Sequence, residues 1–372
     1  MSYICLPPGG GVKRVLFLNN YSMSQAMQGW KAGTYPGHHL WGVTGLEAHG
    51  FEALVPPFSG LPRLNRLMTR YLPDSWGDCD QQVRAALRLD YDIVYSACQF
   101  TTGLLARLRN VGLFRKPIVA LLHHAMADDA SSRAFLRGHD HLLCLNRRVH
   151  DQLVEVFRVP KERAELVEWG PELEFYRAAP GDAGLESAVV VSIGKTARDH
   201  DTLAAALQGS PLTSLVVGTP PTQVAVPAAM KVVPVYEHSP HMPYREVVRL
   251  CHGARIIAIP LIASCGLTGL TSLFDAMAVG RPVVITRNPF IDIDVEAEGL
   301  GFSVEPGDVA GWRRAMDTLA GDATLCREMG SRARALAERR YNIGRFTTQL
   351  AGALTRVRSA GGAMPRHSSP GR

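Results

Sequence analysis

The chain is 372 residues long, 46% hydrophobic and 20% charged, with a formal net charge of +6. That composition is globular, and the length exceeds what one hydrophobic core usually serves, so two domains are expected. No apolar run is long enough to span a bilayer. The stretch Met1 to Val12 lacks the apolar segment of a secretory signal, and the seven scattered cysteines form no C-x-x-C pair, so neither a disulfide framework nor a zinc knuckle is indicated and a reducing cytoplasm is expected. The basic residues are dispersed, apart from arginine-rich helices near the C-terminus. Nucleic acid is therefore not an expected partner, whereas an anionic small ligand or an anionic membrane surface suits the charge.

Val15-Leu16-Phe17-Leu18 is a short apolar run closed by Asn19-Asn20 and reads as a buried strand. A loop rich in Gly, Ser and Pro follows, to about Gly37. Leu40, Val43 and Leu46 then recur at helical spacing up to Gly50. Strands are predicted at Phe51–Val55, Asp92–Tyr95, Ile118–Leu122 and Leu142–Leu145, with helices over Thr101–Leu108 and Arg148–Phe157. The segment Trp169–Tyr176 contains a Gly-Pro breaker near the middle of the chain and reads as a linker.

The second half restarts the pattern. Ala188–Ile193 is a strand, Thr202–Leu207 a helix, Ser214–Val217 a strand, Arg245–Cys251 a helix and Ile256–Ile259 a strand. A helix beginning at Thr268 and a strand at Pro282–Ile285 complete the readable part. Strands alternating with helices imply a parallel, doubly wound sheet in each half. The predicted division is an N-terminal domain 1–170, a C-terminal domain 171–358 whose last helix packs back on the first, and a Gly-, Pro- and Ser-containing disordered tail 359–372. Such domains leave a cleft where the carboxyl ends of their strands face each other.

The most informative segment runs from Ser264 to Val284. Leu270, Leu273, Phe274 and Met277 form a core stripe at helical spacing. Thr268, Thr271 and Asp275 fall on the other side, with Thr268 the predicted N-cap. The small residues Ser264, Cys265 and Gly266 bare the backbone before it. A bare loop feeding a helix N-terminus offers free N–H groups and the positive end of the dipole, a place for phosphate. Asp275 is placed to accept hydrogen bonds from a ribose diol. Taken alone, the same residues also fit an N-capped core helix with a solvated aspartate.

This segment resembles the nucleotide-diphosphate site of retaining GT-B glycosyltransferases of the family-4 type (glycosyltransferase group 1), through Phe274-Asp275-Ala276-Met277-Ala278-Val279-Gly280-Arg281-Pro282-Val283-Val284. The resemblance implies two Rossmann-like domains, a nucleotide-diphosphate sugar as donor substrate, and no metal or other cofactor. It makes Asp275 the counterpart of the second glutamate of the family's pair, the one on the ribose hydroxyls. Leu267 stands where the first glutamate would be, so backbone groups around Cys265, Gly266, Gly269 and Leu270 are expected to take over the sugar hydroxyls.

Gly194-Lys195 and Arg198-Asp199 resemble the family's cationic segment, which pairs with the donor pyrophosphate. A guanidinium grips phosphate oxygens in bidentate fashion. His123, at the end of its strand and followed by His124, resembles the family histidine that reaches toward the donor sugar. Gly170, Glu172 and Tyr176 resemble its linker motif, and Val304–Asp308 a structural turn. Lys195, Arg198 and His123 are thus the expected catalytic residues. Acceptor binding is expected from the first half, where Asn20, Tyr21, Trp30, His38, His39 and Trp41 gather amide, imidazole and indole groups.

The expected activity is transfer of a sugar, hexosyl or related, from the nucleotide donor to a small polar acceptor in specialised, antibiotic-type metabolism. The alternatives are a lipid-linked or envelope acceptor, a GT-B epimerase, or a non-catalytic nucleotide-sugar-binding subunit. A homodimer is the candidate assembly.

Overall fold

The computed structural model describes residues 12–56, 63, 66–67, 70, 79–177, 188–235, 243–263 and 266–360. Ser264, Cys265 and the stretch 361–372 lie outside the described residues.

The first half is a parallel sheet of β1 (Lys13–Leu18), β2 (Phe51–Leu54), β3 (Ile93–Ser96), β4 (Ile118–Leu122), β5 (His141–Cys144) and β6 (Ala164–Leu166), in the order β2-β1-β3-β4-β5-β6. The second is β7 (Ala188–Gly194), β8 (Ser214–Gly218), β9 (Met230–Pro234), β10 (Ala254–Ile259), β11 (Val283–Thr286) and β12 (Gly301–Val304), in the order β12-β11-β10-β7-β8-β9 and again parallel throughout. Strands buried on both faces need continuous apolar runs, and β3, β4, β5 and β11 are buried at every residue. Strand order reverses between β1 and β3 and between β7 and β10, and open sheets of this type bind ligands at such points.

Helices cover both sheets. They are α1 (Met23–Lys31), α2 (Cys79–Leu87), α3 (Gly103–Asn110), α4 (Ala130–Arg137) and α5 (Arg147–Asp151), then α6 (His200–Leu207), α7 (Tyr244–His252) and α8 (Leu270–Val279). Three C-terminal helices follow, α9 (Val309–Gly321), α10 (Ala323–Arg339) and α11 (Ile343–Ala360). Carboxylate and amide caps start several of them. Asp129, Asn146, Asp199 and Asp308 each accept a backbone N–H from their own first turn.

Helix α11 returns to the first half, where Phe346, Leu350 and Leu354 join a core with Trp41, Val43 and Leu46. The returning chain passes directly over the linker. A Cβ on Gly170 would lie 2.2 Å from the Tyr341 carbonyl carbon, so only glycine fits that crossing. The core is continuous between the halves. Trp41 stacks on Trp169 at 4.6 Å, and Trp169 meets Phe274 edge-on at 5.5 Å.

Several predicted elements differ. The Gly/Ser/Pro loop after β1 contains helix α1, because Met23, Ala26, Met27 and Trp30 supply an apolar face against the core. Leu40–Leu46 forms two 3-10 segments, Gly37–Leu40 and Val43–His49, broken at Trp41 and Gly42, both at positive φ. The helix predicted over Arg148–Phe157 widens after Asp151 into a π turn, Gln152–Val156. The short strands β6, β9 and β12 were not anticipated; each is brief and only partly buried.

Candidate nucleotide-sugar site

The site lies at the carboxyl ends of β7 and β10, where strand order reverses. Gly194, Lys195, Arg198, Leu267, Thr268, Gly269, Thr271 and Asp275 enclose, with their neighbours, a cavity of about 430 Å³.

One wall is the turn after β7. Gly194 (φ 149°) has no room for a side chain, since a Cβ would lie 2.4 Å from Arg198 Nη2. Ala197 takes a left-handed conformation (φ 51°), and Arg198 pairs with Leu261 in a single antiparallel bridge, so the turn is clamped to the segment after β10. The Arg198 guanidinium donates to the Thr196 carbonyl and the Ser272 hydroxyl, both at 2.8 Å. Ser272 in turn donates to the Ile193 carbonyl at 3.1 Å. Burial pulls the Arg198 pKa down to about 10, against the attraction of Asp275. Its Nε is buried without a partner.

The opposite wall is the start of α8. Thr268 is not its N-cap. The helix begins at Leu270 behind Gly269 (φ 87°), and the Leu273 N–H closes the first turn on the Gly269 carbonyl at 3.0 Å. A threonine cannot adopt that left-handed position cheaply, so the cap role passes to glycine. Thr268 Oγ1 is thereby left buried with no partner. Asn288 Nδ2 holds the loop open by donating to the Gly266 and Thr268 carbonyls at 3.1 and 3.0 Å. The first N–H groups of α8 have no partner within the helix and join Arg198 and Lys195 on the positive side of the cavity.

Asp275 forms the floor. It is only 6% exposed, and burial pushes its pKa up to about 6 against two tyrosine hydroxyls and Arg198. Tyr176 and Tyr244 both donate to Oδ1, at 2.5 and 3.0 Å, which leaves Oδ2 for the cavity. Tyr244 Oη accepts from His39 Nε2 at 3.1 Å. Sequence reasoning missed Tyr244 and Ser272. Neither carries a local motif, and only the packing of α7 beside α8 brings the tyrosine to the carboxylate.

The first-half candidates gather elsewhere. His123 follows β4, and its Nε2–H donates to the Ala97 carbonyl at 2.8 Å while its ring meets Trp41 at 4.9 Å. Burial pushes its pKa down to about 4, so it is neutral. It does not line the cavity.

His38 is fully buried and its pKa is pushed well below the usual value. Its Nδ1 accepts from the Glu172 N–H at 3.3 Å and its carbonyl from Trp169 Nε1 at 3.1 Å, while its Nε2 is buried without a partner. Trp30 donates to Glu172 at 3.0 Å. Trp41 donates to the Tyr21 hydroxyl at 2.9 Å, and Tyr21 to the His39 carbonyl. Asn20 is exposed at the end of β1. The aromatic loop is thus bonded largely to itself, to the linker and, through His39, to Tyr244. Among the described residues no cluster of His, Cys, Asp and Glu could hold a metal ion, and no helix is long and apolar enough to cross a membrane.

No protein-family profile and no curated protein matches the sequence. Solved structures do. Anabaena Alr3699/HepE in complex with UDP-glucose aligns over 92% of this chain and 99% of its own, at 16% identity and a TM-score of 0.61. Sucrose-phosphate synthase from Thermosynechococcus elongatus aligns over 94% and 100%, at 13% identity and a TM-score of 0.68. WaaG, a glycosyltransferase involved in lipopolysaccharide biosynthesis, aligns over 92% and 99%, at 12% identity and a TM-score of 0.58. The chain therefore has the GT-B fold, two Rossmann-like units each built on a parallel six-stranded sheet.

Proposed function

We propose that the chain is a glycosyltransferase that moves a hexosyl group from a nucleoside diphosphate sugar to a small polar acceptor of specialised metabolism, with retention and without a metal. The observation that carries the reading is the convergence of Lys195, Arg198 and the start of α8 on one cavity with Asp275 among its lining residues. A pyrophosphate suits such a place, since cations and the free N–H groups of a helix N-terminus both stabilise it. Asp275 Oδ2 then takes the ribose hydroxyls. That HepE binds UDP and UDP-glucose on the same fold supports the donor class.

In the proposed reaction the bond between the sugar C1 and the pyrophosphate oxygen breaks through an oxocarbenium-like state. Lys195, Arg198 and the α8 N-terminus stabilise the charge that develops on the leaving pyrophosphate. Asp275 is the only carboxylate lining the described cavity, and its Oδ1 is occupied by tyrosines, so it is poorly placed as a nucleophile. The acceptor oxygen attacks C1 from the face the pyrophosphate leaves, and its proton passes to a phosphate oxygen. The acceptor enters from the first half, with His123 and the Asn20–Trp41 loop on that side.

A thermal-shift panel of UDP, GDP, dTDP, ADP and CDP tests the donor site. A diphosphate at a hundred times its Kd adds about 2.7 kcal/mol to stability. One diphosphate should stabilise the wild type and do so far less for Asp275→Ala; stabilisation by none of them removes the reading. Turnover should persist in EDTA, and the anomeric proton of the product should show retained configuration. An inverted product would overturn the same-face mechanism.

A further inference from the structure

The second large cavity of the C-terminal half, about 620 Å³, opens at the amino ends of β10 and β11, behind the donor site. Helix α8 links the two, with Leu270 at the donor end and Gly280 on the rear cavity. Four arginines from separate parts of the chain line it: Arg255 on β10, Arg281 before β11, and Arg327 and Arg334 on α10. Glu338 is the one carboxylate lining it, and it pairs with Arg334 at 2.7 Å.

Helix capping accounts for part of this arrangement. Arg281 donates to the His252 carbonyl at the end of α7, Arg334 to Ala278 near the end of α8, and Arg255 to Ala320 near the end of α9. Cations at helix C-termini are favourable. Each of these bonds uses one of five guanidinium N–H groups, so capping roots the arginines without exhausting them. Among the described residues Arg327 caps no carbonyl and donates to the Thr324 hydroxyl. Arg281 Nε is buried with no partner. Beyond the Arg334–Glu338 pair, three guanidinium charges share one concavity with no further carboxylate among its described lining residues.

We propose that this rear cavity is an accessory binding site for a phosphate-bearing ligand, distinct from the donor site and held by the forks of Arg255, Arg281 and Arg327. Guanidinium groups match phosphate in bidentate geometry, and a concave site with one sign of charge concentrates anions. The ligand is a phosphorylated small molecule or the phosphate headgroup of an anionic lipid.

The test uses inorganic tripolyphosphate, calorimetry and the full chain, in an Arg198→Gln background that weakens anion binding at the donor cavity. The R198Q protein should bind tripolyphosphate, and the R198Q/R255Q/R327Q protein should bind it at least tenfold more weakly. No binding by R198Q, or equal binding by the two proteins, overturns the proposal. Arg327 is exposed on α10, so R198Q/R327Q serves as a second variant should the triple change fail to fold, with a several-fold loss expected. Co-sedimentation with phosphatidylglycerol vesicles separates the ligand sources. Vesicle binding that tripolyphosphate displaces and R255Q/R327Q abolishes assigns the lipid headgroup; tripolyphosphate binding without vesicle binding assigns the free phosphate compound.

Discussion

The two sheets are built alike, yet the segments that follow their first strands have opposite fates. After β7 and ahead of α8, glycines and small side chains line a cavity of about 430 Å³, and two polar atoms on its walls have no partner. After β1, the segment Asn19–Trp41 is dense in rings whose polar tips end largely on protein: Trp30 on Glu172, Tyr21 on the His39 carbonyl, Trp41 on Tyr21, His39 on Tyr244. The difference is one of side-chain volume, since buried atoms without a partner occur in both regions, Arg198 Nε and Thr268 Oγ1 in one and Asn19 Nδ2 and His38 Nε2 in the other. Small residues beside a buried cation leave space open, whereas large rings fill the space themselves. Polar density on a loop is therefore a weaker sign of a binding surface than open space lined by small residues and cations.

The largest test of this contrast is Trp169→Ala, which removes the ring between Trp41 and Phe274. Deleting a buried indole costs about 3–5 kcal/mol, and urea unfolding should show it. A loss below about 1 kcal/mol would mean that the aromatic loop is not part of the core.

Next is the pH dependence of Asp275→Asn. Burial pushes the folded aspartate's pKa up to about 6, above the ordinary carboxylate range. The folded state thus holds the proton more tightly, and the ionised carboxylate is a destabilising element above pH 6. Its cost is relieved as pH falls from about 6 toward 4. The asparagine variant should exceed the wild type in stability at pH 7 by at most about 2–3 kcal/mol, the equivalent of the shift, with the difference vanishing near pH 4. A pH-independent difference would mean that Asp275 is not buried as a carboxylate.

Arg198→Ala should weaken nucleoside diphosphate binding by about 1.5–3 kcal/mol, the value of a charge-assisted hydrogen bond, read by calorimetry. Unchanged affinity would place the phosphates elsewhere. Smallest is Tyr244→Phe, which deletes one hydrogen bond to Asp275 and one from His39. It should cost about 0.5–1.5 kcal/mol and move the Asp275 midpoint upward, since that hydroxyl holds the pKa down. A downward move would show that Tyr244 does not stabilise the ionised form.

Much of the fold was legible because buried parallel strands must be continuous apolar runs. Val15–Leu18, Ile118–Leu122 and Ala188–Ile193 announce themselves, and their alternation with helices implies two doubly wound sheets. The helix bearing Asp275 was legible for a related reason, since its apolar stripe and the small residues before it form a local pattern. The strands β6, β9 and β12 were not, because short edge or near-edge strands carry too few apolar residues to stand out. Helix α1 was hidden by the glycines and serines around it. The N-cap of α8 was misplaced because threonine is a good cap by propensity, whereas here the chain turns through a left-handed residue that only glycine adopts without strain.

Composition and periodicity, which act through near neighbours, determined by themselves the class of fold and the helix that carries Asp275. Only the tertiary structure decided which distant groups meet. Tyr176 and Tyr244 converge on one carboxylate oxygen, His38 is sealed against Trp169, and arginines far apart in the chain line one rear cavity. Those meetings follow from how distant segments pack against one another, and packing depends on the shape of every side chain between them.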